Sequence, residues 1–227
     1  MDLATRMEHF RESDLYVVIS EAFCGGRPAL DVLDACLDAG VRVVQFREKD
    51  LEDADRYQQG LAFRARTREA GALLIVDDRL DIALAIGADG VHLGRTDLPV
   101  EAARRIAPTL ILGASTHNLG EALVAQEAGA NYVNIGPIFP TRTKSVPTGA
   151  LGPGMIEVIA PYLRVPFTCM GGIKRTNVDE VLQRGARHVA VVTAVTEAPD
   201  VRAAAAELRA LIREGRVSPS MAAQNAR

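Results

Sequence analysis

Gly87-Ala-Asp-Gly-Val-His-Leu-Gly94 and Gly129-Ala-Asn-Tyr-Val-Asn-Ile-Gly136 state the same local structure twice. Each opens on a glycine where an amphipathic stretch ends, turns within a few residues and enters a short apolar run. A glycine just past a helix supplies the left-handed stop, and a short apolar run bounded by turns reads as a buried strand. The phrase is the joint of a helix-to-strand unit, and outward from it the alternation continues to both ends. Strands are expected at 15–20, 41–47, 73–76, 90–93, 110–115, 132–135, 166–170 and 188–192. Helices are expected at 28–39, 51–71, 80–86, 99–106, 118–128, 154–162, 176–184 and 201–214, with Asn118 and Thr176 as N-caps. Eight strand–helix units in about 200 residues predict an α/β fold, a single closed (β/α)8 TIM barrel. The rival is an open doubly wound sheet, which would carry Gly-x-Gly-x-x-Gly after its first strand; none follows Ser20. Residues 1–13 read as an N-terminal extension, 14–214 as the catalytic barrel and 215–227 as a flexible tail.

The totals narrow the class. Of 227 residues, 48% are hydrophobic and 24% charged, the balance of a soluble globular protein. A net charge of −3 gives no ground for nucleic-acid binding. With no Trp and 4% aromatics, the core is expected to be Ala, Val, Leu and Ile. Cys24, Cys36 and Cys169 show no Cys-x-x-Cys spacing, so neither a disulfide framework nor a zinc site is expected, and a cytoplasmic location fits. The charged start carries no signal-peptide pattern, and no apolar run is long enough to span a membrane.

In such a barrel the site is built from the loops at the C-terminal ends of the strands, and polar residues gather there. After the second strand, Gln45, Arg47 and Lys49 alternate to the same side, two cations and an amide suited to a diphosphate. After the third and fourth strands come Asp77-Asp78 and Asp97. Two carboxylates brought close need a cation between them, and Mg²⁺ takes one or two carboxylates plus phosphate oxygens and waters. A helix-capping role is the plain alternative for each Asp. Ser115-Thr-His117 closes the fifth strand; the lone His reads as structural before it reads as a base. After the sixth strand, Gly136-Pro-Ile-Phe-Pro-Thr-Arg-Thr-Lys144 turns sharply and offers hydroxyls and cations, the makings of a loop over an anion. Gly171-Gly172 after the seventh strand and Val192-Thr193 after the eighth lie where this fold commonly holds phosphate. Two anion sites are thus expected, one cationic with a metal, the other a backbone cradle.

These motifs, taken in order from Tyr16 to Val195, resemble thiamine-phosphate synthase, also called thiamine-phosphate pyrophosphorylase. The resemblance implies a transferase of thiamine biosynthesis. It would join 4-amino-2-methyl-5-(diphosphomethyl)pyrimidine to a thiazole phosphate, giving thiamine monophosphate and pyrophosphate by Mg²⁺-assisted, dissociative loss of pyrophosphate. Carried over by motif, Gln45, Phe46, Arg47, Glu48, Lys49, Asp77, Ser115 and Lys144 would hold the pyrimidine diphosphate. Arg47, Lys49, Ser115 and Lys144 among them would be catalytic. Thr141, Arg142, Thr143, Gly172, Val192 and Thr193 would hold the thiazole phosphate, and Asp78 and Asp97 would hold Mg²⁺. Partners are expected to be small molecules, with a homo-oligomer allowed. Three positions depart from the family's usual residues: Asp77 for Asn, Thr193 for Ser, and Arg142 for a common Pro. The alternatives are a related metal-free thiazole tautomerase, with His117 as acid/base, and a barrel that only binds a thiamine precursor.

Overall fold

The computed structural model describes residues 1–143 and 149–217. Eight parallel strands close into a barrel in chain order, β1 through β8 and back to β1. They are β1 (Leu15–Ile19), β2 (Val43–Phe46), β3 (Leu73–Asp77), β4 (Gly90–Leu93), β5 (Ile111–Thr116), β6 (Tyr132–Ile135), β7 (Phe167–Met170) and β8 (His188–Val191). The expected fold is the observed one.

Strand periodicity assigns the residues to two cores. Outward-facing Val17, Val44, Leu74, Val91, Leu112, Val189 and their neighbours meet the helices in one large cluster. Inward-facing Tyr16, Val18, Val43, Leu73, Ile75, Ile111, Tyr132 and Ala190 form a second cluster inside the barrel. Further inward along β2 to β6 the strands turn polar, to Gln45, Asp77, His92, Ser115 and Asn134. The interior is thus apolar below and polar at the strands' C-terminal ends.

The helices are α1 (Leu3–Glu12), α2 (Ala29–Asp38), α3 (Asp53–Glu69), α4 (Leu80–Ala85), α5 (Val100–Ile106), α6 (Leu119–Glu127), α7 (Met155–Ile159), α8 (Val178–Leu182), α9 (Thr193–Thr196) and α10 (Val201–Val217). The Asn118 carboxamide caps α6 as expected, accepting from Glu121 N at 2.9 Å. Thr176 does not cap α8. Asn177 precedes the helix, but its side chain accepts from Lys174 N (2.8 Å) and donates to Gly172 O (3.0 Å). It is spent on the loop after β7. The helix expected at 154–162 is split, because Pro161 tightens its second half into the 3₁₀ turn Ala160–Tyr162.

Helices α1 and α9 have no counterpart in the expected pattern. α1 closes the barrel's floor: Met7 and Phe10 are buried against the interior cluster, and Phe10 stacks on Tyr132 with centroids 4.6 Å apart. Among the described residues no helix is long and apolar enough to cross a membrane.

Candidate active site

The C-terminal ends of the strands hold two adjoining lobes. The first, about 730 Å³, is lined by Gln45, Arg47, Lys49, Asp77, His92, Ser115 and Asn134, with His117 and Met170 at its rim. The second, about 840 Å³, lies among Thr141, Arg142, Thr143, Gly172, Lys174, Val192 and Thr193. Thr141, Thr143, Met170, Gly171 and Val192 belong to both walls, so the two lobes adjoin.

The charges of the first lobe are tightly interlocked. Asp77 Oδ2 lies 2.9 Å from Lys49 Nζ and 3.4 Å from Arg47 Nε. Lys49 also pairs with Asp78. Burial pushes the pKa of Asp77 up and Asp78 adds to it, while Lys49 and Arg47 offset this only in part. Burial by itself would lower the Lys49 pKa; Asp77 and Asp78 together outweigh it and raise it. Asp78 sits at φ 59, in the left-handed region that Asp tolerates better than most side chains. Its N–H donates to His92 O at 2.8 Å. Its carboxyl comes within hydrogen-bonding reach of Asp97, whose pKa is raised by burial first and by Asp78 second. Gly94 N donates to Asp97 Oδ2 at 2.6 Å and fixes its position.

Two carboxylates pressed together beside an ammonium fit a divalent cation. Among the described residues no cluster of three or more His, Cys, Asp or Glu could hold a metal by itself. The donor set suits an ion that shares its shell with ligand oxygens and water, as Mg²⁺ does.

Three sequence-expected residues fall differently, and the expected metal ligands Asp78 and Asp97 line neither lobe, Asp78 reaching Lys49 from outside it. The Phe46 side chain faces outward, onto Phe63. Glu48 turns away from the lobe to accept from Glu21 N at 2.8 Å. Lys144 lies outside the described residues. Ser115, Gln45, Arg47, Lys49 and Asp77 all converge on the first lobe, and Thr141, Arg142, Thr143, Gly172, Val192 and Thr193 on the second.

The segment after β6 leaves through a cis Gly136–Pro137 bond and is held at both ends. Ile138 N and Phe139 N donate to Met170 O and Gly171 O (2.8 and 2.9 Å), while Leu151 N and Gly152 N donate to Pro137 O and Ile138 O (2.8 and 2.9 Å). Glycines 171 and 172 make this clamp possible. A Cβ at Gly171 would lie 2.4 Å from Pro137 Cβ, and one at Gly172 would lie 2.5 Å from Pro140 O. Both have positive φ. The segment expected to lie over an anion is therefore pinned at Pro137–Phe139 on one side and at Leu151–Gly152 on the other. On its near side Arg142 pairs with Glu197, at the end of α9. The first turn of α9 opens on the second lobe, where N–H groups have no intrahelical acceptor.

His92 and Asn134 were missed from the sequence, although both line the first lobe. The signal was there: they occupy the same place in the repeated phrase, as polar residues within short apolar strands. His117, considered as a base, lines the lobe with its Nδ1 2.9 Å from Glu121 Oε2.

The chain's relatives agree with one another. Residues 15–195 match the family model described as "Thiamine monophosphate synthase". The thiamine-phosphate synthase of Chloroflexus aurantiacus is 43% identical over 204 residues, covering 90% of this chain and 94% of that protein. The enzyme of the same name from Pyrococcus furiosus is 40% identical over 200 residues, covering 88% and 95%. Among solved structures, the thiamine phosphate pyrophosphorylase from Pyrococcus furiosus superposes with a TM-score of 0.84 at 39% identity, covering 91% of this chain and 98% of that one.

Proposed function

The chain belongs to the thiamine monophosphate synthase family, and on that premise we propose that it condenses 4-amino-2-methyl-5-(diphosphomethyl)pyrimidine with a thiazole phosphate, giving thiamine monophosphate and pyrophosphate. The observation that carries the reading is a pair of adjoining lobes of unlike chemistry. One gathers Arg47, Lys49, Asp77 and Ser115, with Asp78 paired to Lys49 from outside the lining and Asp97 beside Asp78; the other is a cradle of Gly172, Val192 and Thr193 at a helix start.

The diphosphate lies in the first lobe, with Arg47 and Lys49 on its oxygens and Ser115 as a neutral donor. Lys144 is assigned to the same group from its place in the sequence. As the carbon–oxygen bond breaks, negative charge grows on the departing pyrophosphate, and these fixed cations stabilise it where it forms. Mg²⁺ between Asp78 and Asp97 would neutralise further diphosphate charge when bound. The thiazole phosphate rests on Thr141, Thr143, Gly172 and Thr193, which aim the ring nitrogen across the cleft at the reacting carbon. No protein nucleophile is required. Phe46 and Glu48 act through packing and through the turn at Glu21, as neither side chain faces the lobe.

The test is pyrophosphate release from the two substrates with and without Mg²⁺. Rapid release that needs both substrates and the metal is expected. Asp78→Ala and Lys144→Ala should each lower turnover by ~10²-fold or more with the fold retained. Wild-type turnover in Asp78→Ala would remove the metal assignment, and no release from the unaltered protein would end the proposal.

A further inference from the structure

Five side chains cross the inside of the barrel in one unbroken hydrogen-bonded line. Gln45 Nε2 donates to Tyr16 Oη at 2.7 Å, and Tyr16 Oη lies 3.1 Å from Tyr132 Oη. Tyr132 Oη lies 2.9 Å from His92 Nδ1, and His92 Nε2 lies 2.9 Å from Ser115 Oγ. The line begins and ends in the cleft, at Gln45 and Ser115. Its middle, Tyr16 and Tyr132, is sealed from solvent at 2% and 0% exposure.

The direction of every proton follows from the Gln45 end. A hydroxyl carries one proton, and a buried one left without an acceptor is costly. The Tyr16 oxygen receives the Gln45 amide proton, so its own proton goes to Tyr132. Tyr132 then gives its proton to His92 Nδ1. A neutral imidazole that accepts at Nδ1 carries its proton on Nε2 and gives it to Ser115. Ser115 Oγ is thereby an acceptor toward His92, and its single proton points onward, into the cleft.

We infer that Tyr16, Tyr132 and His92 are positioning residues that compel Ser115 to present a proton, not a lone pair, to the substrate oxygen beside it. The inference rests on the diphosphate role proposed for Ser115. A diphosphate oxygen only accepts hydrogen bonds, so a serine facing it with lone pairs would repel it. The barrel is built around this line. A Cβ at Gly113 would lie 2.1 Å from Tyr132 Cζ and 2.3 Å from its Oη, so only glycine lets the ring reach across to His92. Phe10 packs against the same ring from below.

Nitrogen-15 NMR of the unaltered protein reads the His92 tautomer directly; protonated Nε2 with unprotonated Nδ1 is expected. Tyr132→Phe should abolish that single tautomer and raise KM for the pyrimidine diphosphate ~10- to 150-fold, the worth of one hydrogen bond to a charged group, with kcat less affected. The effect must pass through Ser115, so adding Tyr132→Phe to Ser115→Ala should change KM no further. A proton on Nδ1 in the unaltered protein would overturn the inference, as would Tyr132→Phe acting in full on the Ser115→Ala background. Should Tyr132→Phe fail to fold, the His92 tautomer of the unaltered protein and the KM of Ser115→Ala still decide the inference. An unaltered KM in Ser115→Ala would remove Ser115 from the diphosphate and overturn the relay's purpose with it. Absence of pyrophosphate release from the unaltered protein, by contrast, strikes the proposed function, while the tautomer still decides the direction of the line.

Discussion

Asp77 sets the charge that any ligand meets in the first lobe. The family resemblance expects Asn here, and the structure shows what the carboxylate does: it takes up Lys49 and Arg47, the two cations a diphosphate needs. A buried carboxylate in that position competes with the ligand for both. Asp77→Asn removes the competing charge and keeps the side chain's size. It should tighten pyrophosphate binding, measured by titration calorimetry, by about 5-fold, or about 1 kcal/mol. Weaker binding in Asp77→Asn would mean that the ion pairs hold the cations in place for the ligand. The sequence named the residue and its charge. It did not give the partners, because Arg47 and Lys49 follow β2 and meet Asp77 at the end of β3 only through the β2–β3 pairing.

Among the elements, α1 is the one whose role was hidden. Residues 1–13 read as an extension, since the segment is charged and no partner for Met7 or Phe10 is visible along the chain. Folded, Phe10 is 1% exposed and its ring is packed against Tyr16, Tyr132 and His188. Arg6 ties the helix to the barrel through Asp89 and Thr109 O. Phe10→Ala should cost about 3–5 kcal/mol in urea unfolding, as for a large side chain removed from a packed core. A loss under about 1 kcal/mol would show that α1 lies on the barrel without belonging to its core. The segment after β6 teaches a similar lesson. Its Gly and Pro content marked a turn, but its clamp runs to the β7 loop and to Leu151-Gly152, contacts that only the closed barrel creates.

At the scale of the whole molecule, the floor of the barrel decides the response to acid. His188 points down from β8, with its Nδ1 donating to Ser13 O at 2.9 Å. Burial lowers its pKa from 6.5 to about 4, with the Arg216 charge adding to the shift. A base with a depressed folded pKa contributes full stability above pH 6.5 and loses it as pH falls toward 4, where the unfolded chain binds a proton that the fold excludes. Asp14 titrates lower: its bonds to Arg209 and Arg213 outweigh burial and depress its pKa, so its contribution is present above 3.8 and lost as pH falls below that. The urea midpoint should therefore drop between pH 6.5 and 4.5. His188→Gln should flatten that drop, which is on the order of 3 kcal/mol in total. An equal drop in His188→Gln would place the acid sensitivity elsewhere.

The sequence by itself determined the barrel and the end at which its site lies. Both follow from local facts: glycines that stop helices, apolar runs of strand length, and a period of two that sends Gln45, Arg47 and Lys49 to one side. Residues on strand ends and short loops were legible for the same reason, because the fold dictates where such positions point. Tertiary structure alone decided which way Phe46 and Glu48 face, that Asp77 is bound to two cations, and that α1 is the floor. It also joined Gln45 to Ser115 through Tyr16, Tyr132 and His92, drawn from five different strands. Contacts across the barrel depend on closing the sheet on itself, and no periodicity along the chain encodes which interior side chains then touch.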